Sequence, residues 1–164
     1  MLIEVQIMSA KWKAELEKLK QQPIEELKKM QEKEQRTGDL HKRELSKLMK
    51  LVKFQLMPVV QVFREEGSTK TQQPHIHEYK NGYALVLPIA NSGLEPIILR
   101  LQFEFNLTEK GYVLKVKREI GETIGPERII LAPITDEEIR SEVRELLKER
   151  QSLVLNVKKE QAKI

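Results

Sequence analysis

Ile97-Ile98-Leu99-Arg100-Leu101-Gln102-Phe103-Glu104-Phe105-Asn106-Leu107 decides the fold. Ile97, Leu99, Leu101, Phe103, Phe105 and Leu107 alternate with Ile98, Arg100, Gln102, Glu104 and Asn106, the period-two pattern of a strand with one buried and one wet face. Thr108-Glu109-Lys110-Gly111 supplies a turn, and Tyr112, Leu114 and Val116 then resume the alternation. If Leu107 faces Tyr112, the outer face sets Glu104 against Lys115 and Arg100 against Glu119. Each opposite-charge pair of this kind is worth about 0.2–1 kcal/mol, so both faces specify one register.

Upstream, Ile76 to Tyr79 and Tyr83 to Ala90 flank Lys80-Asn81-Gly82, and an Asn-Gly pair between two such runs signals a second hairpin. With Asn81-Gly82 as the turn, Lys80 pairs with Tyr83, and His75 and His77 lie opposite Pro88 and Val86. Downstream, Gly121 to Pro126 reads as a loop and Arg128 to Ala132 as a short strand. Thr135-Asp136-Glu137-Glu138 fits a capping box, opening a helix whose apolar face is Ile139, Val143, Leu146 and Leu147. Leu153, Leu155 and Val157 alternate as in a strand, while Val154 and Val157 would continue that helix; the pattern leaves 151–157 open between the two.

The N-terminal third has helical period. Leu2, Val5, Ser9, Trp12, Leu16 and Leu19 recur at spacings of three and four, a heptad seam weakened at Ser9. Ile3, Val5 and Ile7 also alternate with polar residues, so the first seven residues fit a short strand as well. Pro23 is a kink or break, beyond which Ile24, Leu27 and Met30 extend the apolar stripe. Thr37-Gly38-Asp39 reads as a glycine C-cap followed by an Asp N-cap, predicting a hairpin between two helices. The second helix, Leu40 to about Leu56, carries Leu45, Leu48, Met49, Val52 and Leu56 on one face and Leu40, Leu51 and Phe54 on another. Pro58 ends it, Val59 to Phe63 is a candidate strand, and Glu65 to Pro74 has linker composition. The expected class is α+β: a coiled-coil-like helical hairpin over 1–57, a short strand and linker over 58–74, and an antiparallel meander of four or five strands with a closing helix over 75–164.

Composition narrows the function. The chain of 164 residues has no cysteine, which excludes disulfides, thiolate metal ligands and thiol nucleophiles. No stretch approaches the roughly 20 apolar residues that span a bilayer, and the N-terminus lacks the basic region of a signal peptide; a cytoplasmic location is expected. The net charge of +4 falls entirely within residues 1–56, where 13 Lys and Arg stand against 9 Asp and Glu.

Chemical motifs are sparse. No glycine-rich phosphate loop, dinucleotide fingerprint or serine elbow is present, so no catalytic residue and no cofactor is assigned. His75 and His77, two apart on a strand, share a face and form half of a conceivable metal site, which would need a carboxylate such as Glu78, Glu104 or Asp136. Arg43, Lys47 and Lys50 share a helix face, and with Lys53 they form the strongest nucleic-acid signal. The leading expectation is a non-enzymatic interaction or assembly protein that forms a homodimer or docks a partner helix through Leu2, Val5, Trp12, Leu16 and Leu19. A nucleic-acid-binding accessory protein comes second, and a metal-dependent enzyme at His75 and His77 third.

Overall fold

A computed structural model describes residues 2–64, 73–91 and 94–162, with side chains from residue 9 onward. Helix α1 (Leu2–Val62) is followed by strands β1 (His75–Tyr79), β2 (Gly82–Ile89), β3 (Ile97–Thr108), β4 (Gly111–Ile120), β5 (Thr123–Ile124) and β6 (Arg128–Ile130), then helix α2 (Asp136–Ala162). The fold is α+β. The chain divides into two compact units, residues 1–44 and 45–164.

In place of the expected helical hairpin, α1 is a single helix of 61 residues. Gly38 lacks the positive φ that a glycine C-cap adopts; only Gly111 and Gly121 have it among the described residues. The Thr37 hydroxyl donates to the Lys33 carbonyl four residues back, the bond of a helix interior. A helical glycine costs about 1 kcal/mol, which the surrounding Lys, Glu, Gln, Leu and Met offset. Glu25 with Lys29, Glu32 with Arg36 and Asp39 with Arg43 also stand at the favourable four-residue spacing. The candidate strand at Val59 to Phe63 is likewise helical: Pro58 lies within α1, and the Phe63 amide donates to the Val59 carbonyl. The linker assigned to Glu65–Pro74 lies largely outside the described residues.

Within the second unit the six-stranded sheet is antiparallel, ordered β1-β2-β3-β4 with β5 and β6 both pairing the outer edge of β4. The β3–β4 register matches the expectation residue for residue: Leu107 opposes Tyr112, Glu104 opposes Lys115 and Arg100 opposes Glu119. Gly111 closes that turn at φ 109°, a conformation that favours glycine. Leu99, Leu101, Phe103 and Phe105 of β3 fill the core with Tyr83, Leu85, Leu87 and Ile89 of β2 and Tyr112, Leu114 and Val116 of β4. Two helical stripes cover this face: Val52 and Leu56 from α1, and Ile139, Val143 and Leu146 from α2. Each fully buried Leu, Ile, Val or Phe contributes about 1.5–3 kcal/mol.

Helix α2 starts as its capping box predicts, with the Glu138 amide donating to the Thr135 hydroxyl at 3.4 Å. It continues through 151–157, with Leu153 and Val154 packed against the core, which resolves that segment as helix. Two ion pairs tie it to the sheet side. Arg118 meets Glu149 at 2.9 Å, and Arg128 meets the buried Glu142 at 2.7 Å, giving that carboxylate the partner a buried charge requires.

The β1–β2 hairpin departs from expectation by two residues. Tyr79 pairs with Gly82, so Lys80-Asn81 forms the turn and His75 and His77 oppose Val86 and Ala84. Asn81-Gly82 serves a different purpose. Asn81 accepts from the Phe105 amide through its carbonyl and donates to the Phe105 carbonyl through its side chain, both at 2.8 Å. A Cβ on Gly82 would lie 1.9 Å from the Phe103 carbonyl oxygen. The pair thus clamps the hairpin onto β3 by close backbone approach.

Substituting the two glycines separates their roles. Gly38→Ala adds a methyl group with nothing within 4 Å and is expected to raise helix stability by about 0.5–1 kcal/mol, read as a higher midpoint at 222 nm in circular dichroism. Gly82→Ala is expected to destabilise the sheet unit by about 1–3 kcal/mol or more in denaturant titration. A loss of helix signal in Gly38→Ala would contradict the continuous helix.

Candidate functional site

The seam residues of α1 are open to solvent. Trp12 is 59% exposed, Leu16 45% and Leu19 55%, and Ile24, Leu27 and Met30 are similarly open. Leu2 and Val5 lie in the helix, but their side chains fall outside the described residues. An apolar row of this length left in water is unusual for a folded unit, because large exposed apolar patches mark contact surfaces.

The basic residues are also exposed. Arg43 belongs to the first unit, and Lys47, Lys50 and Lys53 lie on the outward side of α1 in the second, with Phe54 exposed beside them. None of the four makes an ion pair among the described residues.

His75 and His77 share the sheet face turned away from the helices, as alternation requires. The His77 ring meets Tyr79 edge to face with centroids 4.6 Å apart, and the Arg100 guanidinium lies 5.6 Å from the Tyr79 ring centre. His75 Nδ1 is 3.2 Å from the Gln73 carbonyl. The histidines therefore border an aromatic and cationic cluster, and their register partners Val86 and Ala84 of β2 are buried. Of the carboxylates considered as their partners, Glu78 lies on the opposite face by alternation, where it accepts from the Tyr83 hydroxyl at 3.5 Å. Glu104 lies on the histidine face across β2, in the row of Tyr79 and Gly82, while Asp136 is on α2 and paired with Arg140. Among the described residues no group of three His, Asp or Glu side chains is placed to hold a metal ion.

One surface escaped the sequence pattern. Phe63, Leu147, Val154 and Leu155 line an apolar groove of about 450 Å³ rimmed by Arg144 and Lys148, and the Arg150 guanidinium sits 4.8 Å from the Phe63 ring centre. The groove needs both α1 beyond Pro58 and α2 beyond residue 150 to be helical, the two assignments that local sequence signals obscured. On α2 the Glu137 carboxyl is held below its ordinary range by hydrogen bonding to Arg144 and by that guanidinium's charge.

The Tyr83 phenol is raised above the ordinary tyrosine value, first by burial and then by repulsion from Glu78 and the hydrogen bond to it. A raised folded-state value means that this contribution to stability is complete below about pH 10, the unfolded value, and is lost as pH climbs through the folded one. Alkaline unfolding followed by circular dichroism is expected to steepen above about pH 10, and Tyr83→Phe should flatten that slope; an unchanged slope would show that Tyr83 does not contribute. Comparison of the chain with protein-family models, curated proteins and solved structures finds no match in any of the three.

Proposed function

We propose that this chain is a non-enzymatic interaction and assembly protein that self-associates through the helical unit of residues 1–44, with the sheet unit offering a separate folded surface. The observation that carries this reading is the solvent-open row Trp12, Leu16, Leu19, Leu27 and Met30 on a continuous helix. A long helix in water gains most of its stability from burying such a stripe. Another helix with a matching seam is the cover that heptad spacing fits, either a second copy, giving a homodimer, or a helical partner. No helix among the described residues is long and apolar enough to cross a membrane.

The exposed lysines support a second reading. Lys47, Lys50 and Lys53 make no ion pair among the described residues, Glu44 is the one acidic side chain between residues 42 and 54, and Phe54 offers a ring beside them; such a face suits a phosphate backbone, with affinity that falls as salt rises.

Leu16→Lys with Leu19→Lys places charges in the seam. The unmodified chain is expected to sediment as more than one chain and the variant as a single chain with reduced helix signal; the same species in both would end the self-association reading. Lys47→Glu with Lys50→Glu is expected to weaken DNA or RNA binding by a similar factor for every sequence tested, because phosphate contacts position without reading bases. No binding by the unmodified chain at low salt would remove the second reading.

A further inference from the structure

We propose that the cover of the α1 seam is a second copy of this chain aligned parallel and in register, an inference that rests on the self-association reading above. The seam assigns heptad positions without ambiguity. Ser9 and Leu16 follow gaps of four and so take position a, and Trp12 and Leu19 follow gaps of three and take d. Lys13 and Lys20 are then the e residues, and Glu15 and Gln22 the g residues, all exposed.

Flanking charge decides orientation. In a parallel in-register pair each g residue faces the e residue five positions later on the other helix, so Glu15 meets Lys20 of the second copy, twice by symmetry. An antiparallel pair sets e against e, which brings Lys13 of one helix against Lys20 of the other when these two heptads overlap.

The break in periodicity gives an independent argument. After Leu19 the next a and d positions of the heptad fall on Pro23 and Glu26, while the apolar stripe continues one residue later at Ile24 and Leu27. Such a shift in the period locally changes the winding of a supercoil. Parallel register places Pro23 of both helices at one level, so the two irregularities coincide. Antiparallel overlap of the same heptads sets each irregularity against regular heptad spacing.

The absence of cysteine makes the test clean. Ser9→Cys, Leu19→Cys and Ala14→Cys are made singly in the full chain, Ala14 lying on the side of the helix opposite the seam. Disulfides need Cα atoms within roughly 4.4–6.8 Å. In the parallel pair a thiol introduced in place of Ser9 or of Leu19 meets its own counterpart, so both variants should convert to linked dimers under mild oxidation while Ala14→Cys does not. In an antiparallel pair centred on Ser9, the two thiols of the Leu19→Cys variant would be about 30 Å apart. Sedimentation as a dimer with cross-linking at only one seam position would overturn the parallel alignment and leave self-association standing. Sedimentation as a monomer, without selective cross-linking at either seam position, would overturn both, as would cross-linking of Ala14→Cys as fast as the seam variants.

Discussion

An apolar stripe on an α-helix has to be covered, and this constraint organises both units of the chain. Between Leu45 and Val60 the stripe of α1 is covered within its own unit, where Val52 and Leu56 are fully buried against the sheet with α2 beside them. Between Ser9 and Leu40 the same kind of stripe has exposed leucines, an exposed methionine and the exposed Trp12. Charged and amide side chains sustain the helix there, but burial does not, within a single chain. The proposal of self-association rests on that contrast.

The sheet unit shows how backbone and side chain specify one arrangement together. Its inner face is a continuous apolar layer across β2, β3 and β4. Its outer face carries the ion pairs Lys115–Glu127 and Lys117–Glu119 and the ring contacts among His77, Tyr79 and Arg100. The buried carboxylate of Glu142 is matched by Arg128, so the unit encloses a charge without leaving it unpaired.

The β3–β4 hairpin was legible because apolar alternation, turn residues and opposite charges all named the same register. Helix α2 was legible from its cap and face, but residues 151–157 were not, since Leu153, Val154, Leu155 and Val157 satisfy either period. Local signals failed where they have a second physical use. Asn81-Gly82 spells a turn but works here as a clamp and a close approach to β3. Thr37-Gly38-Asp39 spells a helix end, yet the flanking helix formers carry the chain through it. Pro58 and the β-branched Val59 to Phe63 suggested a stop, and packing of Val59, Val60 and Phe63 against the core overrides that propensity. The seam and the basic face were found by spacing alone. The groove at Phe63 was invisible because it depends on the end of α1 lying against the middle of α2.

Trp12 is the chain's one tryptophan and stands in the middle of the seam, so its emission reports directly whether the stripe is covered. Across a dilution series of the unmodified chain, self-association predicts short-wavelength emission at high concentration that moves to longer wavelength as the chains separate. A solvent-exposed emission maximum that stays the same at every concentration would contradict it.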